Sequence, residues 1–137
     1  MHDIRLIRCR ENPTGFDAAL ARRGDPPRSP AILALDAARR AAATEAQGLL
    51  SQRNALSKRI GEAKRKGEES APIEAEAVAL RERIAALEIA ERDAGTQLDG
   101  VLATIPNILD PDVPDGADES ANVVLATHGE PKKFNFE

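Results

Sequence analysis

Read in sevens from Leu35, the chain returns to an apolar residue at Ala42, Leu49, Leu56 and Ala63. The companion row, Ile32, Arg39, Ala46, Arg53 and Ile60, is mixed and carries two arginines at its edge. Heptad spacing puts both rows on one seam of a long helix. A second pair of rows is cleaner. Ile73, Leu80, Leu87, Ala94 and Val101 run beside Ala77, Ile84, Glu91, Leu98 and Ile105, and only Glu91 is polar. None of the nine prolines falls within 31–71 or 73–105. The spacing predicts helices over 30–66 and 71–105, turning at 67–70. Ser29-Pro30 and Ser70-Ala71-Pro72 read as starts with a cap and an early proline. Lys64-Arg65-Lys66 suits the negative pole of the first helix, and Gly67 supplies its stop. Gly48 and Gly61 each weaken that helix by about 1 kcal/mol against alanine. Gly61 reads either as a plain helix defect or as a place for close backbone approach.

So short a polar link makes the two helices antiparallel neighbours. Each is roughly 50 Å long at 1.5 Å per residue. Matching the rows sets the register, with Leu56 opposite Leu80 or Ile84, Leu49 opposite Leu87, and Leu35 near Val101. One seam between two helices buries little and holds no ligand pocket, so the arm is a lever or a surface. Ahead of it, Asp3 to Ile7 alternates weakly. Asn12-Pro13 then opens a short helix, by the same cap-plus-proline signal, running to about Arg23, with Gly24 as its stop. This helix is expected at the base, away from the tip. Behind the arm, Pro106, Pro111, Pro114 and Gly116 interrupt an acidic segment that reads as an extended linker laid back along the base. Residues 122–126 have the pattern of a short strand, and 134–136 alternate like the start of another. The fold class is all-α: a long antiparallel two-helix coiled-coil hairpin, with a short N-terminal helix at its base and an extended C-terminal linker. The chain divides into residues 1–28, 29–105 and 106–137.

Composition agrees. The chain has 137 residues, of which 42% are hydrophobic and 31% charged, with three aromatic rings. Alanine, at 25 residues, dominates the apolar fraction. It is the best helix former and a poor core filler, which suits a narrow seam and excludes a two-layer sheet. A net charge of −4 excludes a bulk polycation that coats nucleic acid, so only local clusters of Lys and Arg serve that purpose. Cys9 is alone, so no disulfide forms within the chain and a reducing compartment fits. The charged start has no signal-peptide core, and no run is long enough to span a bilayer. A soluble cytoplasmic protein without membrane contact is expected.

Catalytic chemistry is missing from the sequence. His2, expected in a disordered start, and His128 have no ligand-spaced partners. No glycine-rich phosphate loop follows a strand, and no Cys/His pair has metal spacing. A lone thiol such as Cys9 reads as a small buried apolar residue. The one chemical constellation is basic: Arg53, Lys58, Arg59, Lys64, Arg65 and Lys66 stand against the single acid Glu62. In the register above, Arg81 and Arg83 fall beside residues 55–58 of the facing helix. A rod with positive charge on its outer half can lie along a phosphate backbone, with affinity that depends on salt. Without stacking rings it would recognise shape rather than unpaired bases. Taken alone, the charges are better explained as a solvated face. Helix-end cations are ordinary, Glu68, Glu69, Glu74 and Glu76 neutralise the tip, and Arg53 can bridge to Glu88.

Specific strings shift that balance. Arg53-Asn54-Ala55-Leu56-Ser57-Lys58-Arg59-Ile60-Gly61-Glu62-Ala63-Lys64 resembles the arm of bacterial-type seryl-tRNA synthetases, where an RNALSK–IG–AK pattern recurs. Ile105-Pro106-Asn107-Ile108, Pro111-Asp112-Val113-Pro114 and Gly116 resemble the IPNxPHPDVPxG segment after it. Asp3 to Arg8 with Glu11-Asn12-Pro13 resembles that family's start, and Gly129-Glu130-Pro131-Lys132-Lys133-Phe134 its entry to the catalytic domain. Departures fall outside the arm: Cys9-Arg10 looks like an insertion, Leu109-Asp110 replaces proline and histidine, and Thr127-His128 replaces an aromatic.

The resemblance implies an enzyme that joins serine to ATP and transfers it to the 3′ end of serine tRNA. Its arm lies between the long variable arm and the elbow of that tRNA, and the anticodon is not read. Residues 53–66 with Arg81 and Arg83 are then tRNA-binding candidates, and the phosphate reading overtakes the solvated face. ATP and a divalent metal are implied for a class II catalytic domain that would begin where this chain stops, as is a homodimer formed through it. Residues 106–137 become a linker toward that absent domain, and the chain alone is expected to be inactive. The alternative from another class is a coiled-coil module that binds protein and has no nucleic-acid role. Salt dependence separates the two.

Overall fold

The computed structural model describes residues 2–9 and 12–135, the side chain of Asn12 excepted. Four helices follow in order: α1 (Ile4–Arg8), α2 (Asn12–Ala21), α3 (Ser29–Lys66) and α4 (Ala71–Thr104). A 3-10 turn, Glu119–Ala121, follows in the linker. No strand occurs among the described residues. α3 and α4 pack along their length as the antiparallel hairpin that the heptad rows require. Gly67 turns the chain at the tip with φ 74°, a left-handed conformation that costs glycine nothing. Its N–H and that of Glu68 close onto the last carbonyls of α3.

Register follows the apolar rows. Leu49 packs against the cluster of Ala42, Ala46 and Leu87, and Leu35 and Val101 flank one cluster at the base. Lys64 meets Glu74 across the tip, as the same register demands. Alanine lets the two backbones approach along the middle of the arm. The large side chains gather instead at the base. There Ile7 of α1, Phe16 and Leu20 of α2, and Ile32 of α3 meet Leu98, Leu102 and Ile105 at the end of α4. Leu20 and Ile32 are completely buried.

Local chemistry differs from the sequence expectation in five places, four of them at the N-terminal end. The weak alternation of 3–7 is a helical turn, because Asp3 accepts the Arg5 N–H at 2.8 Å and caps it. Ser29 does not cap α3. Its hydroxyl and N–H, with the N–H of Arg28, all donate to the carboxylate of Asp17, so α2 supplies the cap in trans. Ser70 likewise makes no cap bond to the backbone, and its hydroxyl donates to Glu74 at 2.9 Å. Cys9 is exposed rather than buried, because it leaves α1 on the solvent side. The expected Asn12 cap lies outside the described residues. His2 is held rather than loose: its ring is bonded to the Pro106 carbonyl at 2.9 Å and stands edge-on to Phe16.

Burial raises the pKa of Asp17, but the donors from Ser29 and Arg28 outweigh it and hold the carboxyl below its usual value. A depressed folded pKa gives stability that is complete above the unfolded pKa and disappears as pH falls through the folded one. Asp17→Asn is therefore expected to lower the melting temperature at pH 7. The gap from wild type should close as pH falls below about 4. Melting curves from pH 7 to 3 followed by helical circular dichroism check this, and a constant gap would refute it.

A second polar feature ties α1 to the arm. The carboxylate of Asp36 is fully buried and faces three guanidinium groups, Arg40 at 2.9 Å, Arg8 at 3.3 Å and Arg39 at 3.6 Å. The linker folds back on the base, as expected. Residues 122–126 run extended without a strand partner, and Val123, Val124 and Leu125 are exposed. The strand pattern is a local preference, and the described residues hold no strand edge to complete it. Of the segment 134–136, Phe136 lies outside the described residues.

Candidate nucleic-acid interface

Helical geometry distributes the basic residues around the outer third of the hairpin. Leu56 and Ala63 are buried in the seam, which fixes the rotation of α3. Lys58 and Arg65, seven residues apart, then form a stripe opposite the seam. Arg59 and Lys66 form a neighbouring stripe on one flank. Lys64 and Arg53 lie on the other flank, facing the side from which Arg81 projects. All are exposed except Arg53, which is half-buried beside the seam.

Their partners separate them further. Lys58, Arg59, Lys66 and Arg81 form no ion pair among the described residues. Among the described residues, Arg65 donates only to the Gly61 carbonyl of its own helix, at 3.2 Å. Lys64 is engaged with Glu74 at 2.8 Å, and that ammonium, helped by the Ser70 hydroxyl, holds the Glu74 carboxyl below its usual range. Arg53 does not bridge to Glu88 but donates to the Asn54 side-chain oxygen at 3.2 Å. Arg83 has a partner too: its guanidinium reaches baseward along the hairpin and pairs with Glu45 at 2.8 Å. A long side chain reaches the nearest opposite charge, which row matching cannot foresee.

The tip also has a shallow apolar groove, lined by Ile60, Ala77 and Val78 and rimmed by Lys64, Glu74 and Arg81. The arm, residues 29–105, contains no Phe, Tyr or Trp, and Phe16 lies at the base. The surface offers charge, an aliphatic groove and curvature, but no aromatic ring on which a base could stack. Among the described residues, no group of three or more His, Cys, Asp or Glu is placed to hold a metal ion. No helix among them is long and apolar enough to cross a membrane.

Residues 1–109 match the family model described as the seryl-tRNA synthetase N-terminal domain. The chain belongs to that family. Curated relatives named serine–tRNA ligase cover nearly all of it: that of Gluconacetobacter diazotrophicus is 48% identical over 99% of this chain, and that of Paramagnetospirillum magneticum is 46% identical over 99%. The chain spans about a third of their length, 32% in both cases. Among solved structures, the seryl-tRNA synthetase of Pyrococcus horikoshii complexed with ATP matches with a TM-score of 0.80 and 35% identity. The match covers 90% of this chain and 28% of that one. The seryl-tRNA synthetase N-terminal domain is thus present as a helical hairpin on a small helical base.

Sequence reasoning missed the Asp36 cluster and Arg22, which fastens the linker. Asp36 had a signal, since it follows Ile32 by four residues on the buried stripe and precedes Arg40 by four. Arg22 had none, because its partners lie about ninety residues away in the chain.

Proposed function

We propose that this chain is the tRNA-binding arm of a serine–tRNA ligase, engaging the long variable arm and elbow of serine tRNA by shape and backbone contacts. The observation that supports this is the set of cations without acidic partners, Lys58, Arg59, Arg65, Lys66 and Arg81, on a rod that offers no stacking ring. Lys64, Arg53 and Arg83 are secondary contributors, because each already has a partner in the free protein. Each phosphate neutralised releases counterions and adds salt-dependent affinity. Anticodon identity plays no part.

In this reading, ligation of serine through ATP belongs to the catalytic part of the enzyme, together with the divalent metal and the homodimer contacts. The arm's described residues form no His/Cys/Asp/Glu group that fits a metal, and its phosphate contacts rest on Lys and Arg. The cytoplasm, where translation occurs, is the proposed location.

Because Lys58/Arg65 and Arg59/Lys66 lie on different stripes, a single straight backbone engages one stripe more than the other. Binding to a tRNA with a long variable arm and to one without it, measured across salt concentrations, provides the test. Log affinity is expected to fall by about one unit per phosphate for each tenfold rise in salt. Replacing the engaged stripe by Gln lowers that slope by about two and leaves helicity intact. No preference for the long variable arm, or a slope unchanged by both replacements, would return the charges to a solvated face.

A further inference from the structure

Beyond α4 the chain is fastened to the base before it leaves. His2 holds the Pro106 carbonyl, and Arg22 then gathers the next turn. The Arg22 guanidinium donates through Nε to the carboxylate of Asp115, through Nη2 to the Val113 carbonyl, and through Nη1 to the Asp110 carbonyl at 3.4 Å. Its main-chain carbonyl accepts the Gly116 N–H at 3.1 Å. Arg22 follows directly on α2, whose Phe16 and Leu20 are anchored in the base core. Rigid contact therefore runs from the core through α2 and Arg22 into the linker.

Gly116 completes the bend. A Cβ there would lie 2.1 Å from the Ala121 Cβ, so the turn at Glu119–Ala121 closes against a position open only to glycine. Asp118 caps that turn by accepting the Ser120 N–H at 2.9 Å. An exposed Arg–Asp pair alone would contribute little. Three acceptors spread over six residues are different, because a planar fork fixes their relative positions and a lysine could not.

We propose that Arg22, with Gly116, is a clamp that sets the direction in which the chain leaves the arm. Arg22 is thus a positioning residue for tRNA recognition. This rests on the function proposed above. The physical reason is leverage. On an arm roughly 50 Å long, an angular play of 0.1 radian at the base moves the tip by about 5 Å. A displacement of that size breaks phosphate contacts and misplaces the tRNA end relative to the site of transfer.

The test uses the full-length enzyme with Arg22→Gln, Arg22→Lys and Gly116→Ala, and with Lys58→Gln/Arg59→Gln as a reference. Serine-dependent exchange of pyrophosphate with ATP should be unchanged in the Arg22 and Gly116 variants, while KM for tRNA rises roughly 10-fold. Arg22→Lys should behave like Arg22→Gln, since charge without the fork is not enough. Spin labels at Glu62→Cys and Ala117→Cys, in a background where Cys9 and any other reactive cysteine are replaced, should give a narrow distance distribution that broadens in Arg22→Gln at unchanged melting temperature. If the reference variant raises KM while Arg22→Gln leaves both KM and the distribution unaltered, the clamp is wrong and the arm still binds tRNA. If the reference variant leaves KM unchanged, the arm reading fails and the clamp fails with it.

Discussion

Ile32→Ala is expected to cost about 3 kcal/mol of unfolding free energy, and Leu49→Ala roughly 1 kcal/mol. Both remove branched aliphatic carbons from the same helix, so the contrast isolates what surrounds them. Ile32 is fully buried where all four helices meet, among Ile7, Phe16, Leu20 and Leu98. Truncation there opens a cavity whose walls belong to four separately anchored elements, which cannot all move in. Leu49 lies half-buried on a two-helix seam beside Ala42 and Ala46, where the surface of any cavity is already partly water. Leu56→Ala and Leu87→Ala, buried on that seam, are expected to fall between, at about 2 kcal/mol. Urea unfolding of the four variants gives the order directly. Equal costs would mean that the base is no more of a core than the arm.

Removing both Arg8 and Arg40 is expected to cost about 3 kcal/mol or more, and replacing Asp36 by leucine in that background should recover part of it. Asp36 is fully buried, and its Oδ2 takes both of those guanidinium groups. What would remain is Arg39 at 3.6 Å from Oδ1, an oxygen with no hydrogen-bond donor. A buried carboxylate stripped of its partners is among the costliest defects a small protein can carry, whereas an apolar side chain of similar size needs no partner. Each arginine is 40–53% exposed, so either one lost alone leaves the other to serve the carboxylate and costs much less. The signature is this non-additivity. Denaturation of the two single variants, the double and the triple tests it, and additive small losses would show that Asp36 is solvated enough to stand alone.

Legibility followed the range of the interaction. The helical hairpin, its register and the turn at Gly67 were readable because heptad rows repeat the same local rule over some seventy residues. Ser29 and Ser70 followed a local capping rule, yet in Ser29 a better acceptor, Asp17, arrives from another helix. The basic residues were readable as a cluster, since their number and spacing are local. Which of them remain unpaired was not. Arg83 and Lys64 find acids on the facing helix, while Lys58 and Arg59 find none, and that depends on side-chain reach across a seam.

The sequence by itself determined that this chain carries a two-helix arm whose outer third is basic and whose residues 29–105 include no aromatic ring. Periodicity and composition suffice for that, because every heptad votes for the same seam. Tertiary structure alone decided where the protein is firm and how its arm is aimed. Phe16, Leu20, Ile32 and Ile105 become one core only when the end of α4 returns to α2. Arg22 becomes a clamp only when residues 110–116 fold back beside it. Contacts between positions some ninety residues apart leave no periodic trace in a single chain, since nothing local prefers one distant partner over another until the hairpin has brought them together.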